Sequence, residues 1–140
     1  MKKELKDNII LIEDRDEDIQ LIKRIITQTY PNLNLIVIND SEVALEHIKN
    51  KKILKHRPKL IILDINMPKI NGLELLLEIK INNDYNKIPS IIFSSSTHQN
   101  DINNAYSNNI NSYVQKPMNY KDLKKVLTAT IDYWTNINLS

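Results

Sequence analysis

KLIILDINMPKING fills residues 59–72, and it joins an apolar run, an acid and a turn containing proline and glycine. The run Leu60 to Leu63 is short, rich in β-branched residues and unbroken, as a strand buried on both faces requires. Asp64 closes it. The turn through Pro68 and Gly72 exposes the strand end and leads into Leu73, Leu76, Leu77 and Lys80, which share one helical face. Asn71 is placed as the N-cap of that helix, with Glu74 three residues on, close to a capping box.

The same unit recurs outward in both directions. NIILI (8–12), LNLIVI (33–38), SIIFS (90–94) and the weaker SYV (112–114) have strand length and composition. Helical spacing follows each: Asp18, Ile22, Ile25, Ile26 and Thr29; Ala44, Leu45 and Ile48; Ile102, Ala105 and Tyr106; and Leu123, Val126, Leu127, Thr130, Ile131 and Trp134. Five βα units in succession predict an α/β fold, a parallel sheet covered by helices on both faces.

With 140 residues, 41% of them hydrophobic, and neither internal repeat nor linker, the chain is expected to form one domain over residues 1–140. The lack of cysteine excludes disulfides and thiolate-held zinc and, with an N-terminus that has no signal-peptide core, predicts a cytoplasmic protein. No stretch reaches membrane-spanning length. Nineteen basic against seventeen acidic residues leave a net charge of +2, too balanced to imply a nucleic-acid partner. The basic stretch Lys49 to Arg57, which precedes Pro58, reads as cations at the negative end of a helix, since no aromatic residues interleave with it. His47, His56 and His98 share no zinc-ligand spacing.

In open parallel sheets ligands bind beyond the carboxyl ends of the strands. There the sequence sets Glu13 and Asp14 after the first strand, Asp64 after the third, Ser94 at the end of the fourth and Lys116 after the fifth; the second ends in Asn39 and Asp40. Three carboxylates in one place repel each other unless a cation joins them, and oxygen-only ligation with room for water and a phosphate oxygen suits Mg2+. Such a metal neutralises charge on a transferring phosphoryl group, and an aspartate is a competent phosphoryl acceptor. Asp64 is the candidate nucleophile. Lys116 is placed to pair with a phosphoryl oxygen, and the Ser94 hydroxyl to donate to another.

This ordered set resembles the receiver domain of two-component response regulators, and the likeness covers essentially the whole chain. It is carried by Glu13 and Asp14, LDINMPKING around Asp64, Ser94 with the small Ser95, Tyr113, and the pair Lys116-Pro117. Thirty positions separate Asp64 from Ser94, and twenty-two separate Ser94 from Lys116, as in the family. The resemblance implies a flavodoxin-like (βα)5 fold with strand order 2-1-3-4-5. It implies that Asp64 accepts phosphate from a sensor histidine kinase, that Asp14 and Asp64 bind Mg2+ directly with the backbone carbonyl of Asn66, and that Glu13 assists through water. It further implies that Lys116 holds the phosphoryl group, aimed by a cis Lys116-Pro117 peptide, and that Ser94 and Tyr113 form the switch. Ser96 and Asn66 occupy positions that tune dephosphorylation. Output is expected through the face of the fourth helix, fifth strand and fifth helix, to a protein target or a second copy, with no DNA-binding domain. Fifty positions from Asp14 to Asp64 exceed the shortest receivers, the extra length falling around Lys51 to Arg57, and with the ending TIDYWTNINLS this resembles the stand-alone regulators that include cyanobacterial phytochrome partners.

Two other readings compete. An aspartate-nucleophile phosphatase of the haloacid dehalogenase kind needs an acid two residues after the nucleophile, where this chain has Asn66. An interaction module that keeps the fold without phosphorylation has no need for the intact acids and lysine. In the acidic run LIEDRDEDI (11–19), Asp16 is expected to cap the first helix and Glu17 to favour its positive end. Asp18 shares a stripe with Ile22 and Ile25 and should lie partly shielded at the site's rim. DINNAYSNNI (101–110) is poor in helix formers and is expected to be the least stable helix. Tyr133 and Trp134 are read as packing residues.

Overall fold

The structure is a computed structural model that describes residues 7–137. The five expected βα units form: β1 (Asp7–Ile12), α1 (Asp16–Thr29), β2 (Leu33–Ile38), α2 (Ser41–Lys49), β3 (Leu60–Leu63), α3 (Gly72–Ile81), β4 (Ser90–Ser94), α4 (Gln99–Ser107), β5 (Ser112–Gln115) and α5 (Tyr120–Asp132). All strand pairs are parallel and the order is β2-β1-β3-β4-β5, the flavodoxin-like doubly wound arrangement. The order reverses between β1 and β3, which sets a crevice beyond their carboxyl ends.

Alternation along the inner strands divides the core. Ile10, Ile12, Ile61, Leu63 and Ile92 pack with Ala44, Ile48, Leu75, Leu76, Ile79 and Ala105, from α2, α3 and α4. Ile9, Leu11, Leu60, Ile62, Ile91 and Phe93 pack with Ile22, Ile25, Ile26, Leu123, Leu127 and Ile131, from α1 and α5. Trp134 packs against this second cluster, in a π-helical turn (Tyr133–Ile137) that continues α5. The Tyr30 hydroxyl fastens the ends of α1 and α5 together, donating its one proton to Asp132 Oδ1 at 2.6 Å with the Thr128 carbonyl oxygen 2.9 Å away.

Three local expectations change. Asp16 is not the cap of α1: Arg15 holds that position without a side-chain bond, and Asp16 is already helical, so Asp16, Glu17 and Asp18 all act on the positive helix end. The basic stretch is not one helix end either. Only His47 and Lys49 lie in the last turn of α2, because Lys51 adopts φ 62° and closes the helix, its N–H bonding Ile48 O and that of Lys52 bonding His47 O. A short 3-10 turn (Ile53–His56) then carries the chain to β3. Finally, the Lys116–Pro117 peptide is trans, as every described peptide bond is, which is the ordinary preference of X–Pro bonds.

Candidate functional site

The carboxyl edge of the sheet brings the sequence-selected residues together. Leaving β1, Glu13 is 1% exposed while Asp14 is half-buried, and Asp64 beyond β3 is 5% exposed. One carboxylate oxygen from each of these three lies within 4.8 Å of the others. Asp64 is held from both sides. Its N–H donates to Ile12 O at 3.1 Å, and Gly72, the first residue of α3, packs directly on its carbonyl. The loop between them is fastened to α2, since Ser41 Oγ donates to Pro68 O at 2.7 Å and accepts from Ile70 N at 3.2 Å. Asn71 caps α3 as expected, its side chain accepting from Leu73 N at 2.7 Å.

Lys116 follows β5, with its N–H donating to Ser94 O at 2.8 Å, so the backbone next to Ser94, rather than a cis peptide, brings it to the site. Its ammonium is 9% exposed and donates to Glu13 Oε1 at 2.5 Å and to Asp18 Oδ2 at 2.9 Å. No bond to Asp64 forms among the described residues. The role of Asp18 was missed in the sequence. Its place on the buried stripe of α1 signalled shielding, but its partner lies 98 positions away.

The electrostatics are strained in a way a cation relieves. Burial first, and then the Asp64 charge, push the Glu13 carboxyl up to about 8, against the opposing pull of Lys116. Burial depresses the Lys116 ammonium, but its bond to Glu13 and the surrounding carboxylates outweigh this and raise its pKa. Asp14 Oδ1 is buried without a hydrogen-bond partner. An orphaned carboxylate oxygen beside two further acids fits a hard divalent cation with oxygen ligands.

On the far side of the cleft, Ser94 is fully buried, with Oγ accepting from Ser96 N at 3.2 Å. Ser96 is buried and donates to Asp101 Oδ2 of α4 at 2.7 Å, whereas Ser95 and Asn66 are exposed. Tyr113 is half-buried, and its hydroxyl donates to Ser96 O at 2.8 Å, so β5 is already tied to the β4–α4 loop. Within α4 only Ala105 is buried, consistent with the weak helix expected there.

Comparison with known proteins agrees with this geometry. The response regulator receiver domain model matches residues 9–128. Response regulator Rcp1 of Synechocystis sp. is 32% identical over 128 residues, covering 90% of this chain and 87% of that protein. The probable methanogenesis regulatory protein FilR2 of Methanothrix harundinacea is 31% identical over 133 residues, covering 94% and 86%. Among solved structures, the phosphorylated cyanobacterial phytochrome response regulator RcpA superposes with a TM-score of 0.88 at 28% identity, covering 96% of this chain and 97% of that one. The Mn2+-bound form of Rcp1 gives 0.84 at 31% identity, covering 96% and 99%. The chain is a member of the response regulator receiver-domain family.

Proposed function

We propose that this chain is a stand-alone response regulator, a single receiver unit that accepts a phosphoryl group on Asp64 from a sensor histidine kinase and passes the signal on by protein contact. The carrying observation is the buried cluster of Glu13, Asp14 and Asp64, with an unpartnered Asp14 oxygen inside it and Lys116 alongside.

Asp14 and Asp64, with the Asn66 carbonyl, are the proposed cation ligands, and Glu13 supports them. Bound Mg2+ supplies the countercharge that lets a dianionic phosphoryl group approach this acidic cleft. Asp64 Oδ attacks phosphorus, the bond to the donor nitrogen or oxygen breaks, and the donor leaves with that electron pair. Lys116 then turns an N–H to the new phosphoryl oxygens, and the Ser94 hydroxyl donates to another. Moving Ser94 disturbs its contact with Ser96, and through Ser96 the Tyr113 hydroxyl and Asp101 on α4. That is a short physical route from the phosphate to the face formed by α4, β5 and α5. Tyr106 of α4 and Met118 after β5 stand exposed there, apolar groups available to a target protein or a second copy. Loss of the phosphoryl group by hydrolysis resets the switch, with Ser96 and Asn66 at the positions proposed to tune its rate and Ser95 a neighbour of the phosphate site.

The test is incubation with Mg2+ and a small phosphodonor, followed by intact-mass measurement. One added phosphate is expected, absent in Asp64→Asn and absent without a divalent cation. Addition that persists undiminished in Asp64→Asn would sink the proposal.

A further inference from the structure

Lys116 is held in a manner that the phosphoryl chemistry alone does not require. An ammonium has three N–H donors. In this structure one goes to Glu13 and a second to Asp18, and neither acceptor is Asp64. The two carboxylates differ. Glu13 belongs to the acidic cluster that would take the cation, but Asp18 projects from α1 and stands outside it. A cation held by that cluster would therefore not take Asp18 as a ligand. The bond from Lys116 to Asp18 is also well formed, at 2.9 Å, with the Asp18 side chain 19% and the Lys116 side chain 9% exposed.

We infer that Asp18 is a positioning residue that latches Lys116 in the resting state and competes with the phosphoryl group for it, so that the strength of this one bond sets how firmly the phosphorylated form is held. The inference rests on the reading of Asp64 as phosphoacceptor. Arg15 acts on the same latch from the opposite side, because its Nε lies 3.8 Å from the same Asp18 oxygen that Lys116 uses. The guanidinium draws charge from that oxygen and slightly loosens its grip on the ammonium. At 61% exposure its contribution is small but opposite in sign to removal of the Asp18 charge.

Beryllofluoride, which mimics a phosphoryl group on a carboxylate, provides the probe. With saturating Mg2+, Asp18→Asn should tighten beryllofluoride binding on the order of fivefold, about what a partly screened charge-assisted bond is worth. It should lengthen the lifetime of the acyl phosphate to match. Arg15→Ala should shift both quantities the other way by a smaller factor, and Asp18→Glu should return them toward wild type. The side-chain ammonium signal of Lys116 should broaden in Asp18→Asn before any ligand is added. Equal or weaker beryllofluoride binding in Asp18→Asn overturns the latch, as does the same sign of change in Asp18→Asn and Arg15→Ala. If wild type itself binds no beryllofluoride in Mg2+, the phosphoacceptor reading falls instead.

Discussion

Gly72→Ala is the mildest substitution that should damage the site, and it is made at the only glycine in the chain. The φ of Gly72 is not positive, so conformational freedom is not what the position demands. Space is. A Cβ built there would lie 1.9 Å from Asp64 O, 2.8 Å from Asp64 C and 2.8 Å from Ile65 Cα, all backbone atoms with no rotamer to escape into. Ordinary contact needs roughly 3.5 Å, so the start of α3 and the end of β3 must part by about 1.5 Å. Overpacking of this kind costs about 1–3 kcal/mol. Alanine returns at most about 1 kcal/mol in helix propensity, which leaves a net loss of up to about 2 kcal/mol. Urea unfolding should therefore show a lower midpoint with an unchanged m-value. The displaced atom belongs to Asp64, the proposed phosphoacceptor, and an error of about 1 Å at a reacting group costs on the order of a hundredfold in rate. Initial phosphorylation rates with a small phosphodonor should fall about 10- to 100-fold at saturating Mg2+, although the substitution removes no functional group. A variant that is more stable than wild type and phosphorylated at the wild-type rate would refute the claim that helix and strand touch here.

Because the Glu13 carboxyl is raised in the fold, it contributes stability that is complete below its unfolded value near 4.5 and is lost as pH rises through about 8. Thermal melts in a chelator should then show Tm falling across that window, and Mg2+ should remove the slope; a flat or rising metal-free profile would contradict this. Arg57 ends the 3-10 turn in a left-handed conformation, φ 48° and ψ 54°, so Arg57→Gly should stabilise the protein by about 0.5–1 kcal/mol in urea unfolding, and a loss of stability would show the strain to be absent.

These cases explain what the sequence made legible. Strands and helices were readable because burial on both faces demands the unbroken runs at β1, β3 and β4, and the amphipathic faces of α1 and α5 repeat at helical spacing. The convergence of Glu13, Asp14, Asp64 and Lys116 was readable because parallel topology sends every strand's carboxyl end to the same edge. Boundaries were harder. Helix ends are usually announced by glycine, but here Lys51 and Asn109 take the left-handed positions that close α2 and α4. The single glycine is spent on close approach instead. The partner of Asp18 was hidden for another reason: its bond to Lys116 joins α1 to the residue after β5, and no local pattern records so distant a contact.

The central claim, that Asp64 is the phosphoacceptor, is tested most directly by trapping the product. Protein incubated with Mg2+ and phosphodonor is reduced with borohydride, which converts an aspartyl phosphate to homoserine, and the modified residue is located by peptide sequencing. Homoserine at position 64 alone is expected. Homoserine at position 14, or none in a sample whose intact mass shows added phosphate, would contradict it.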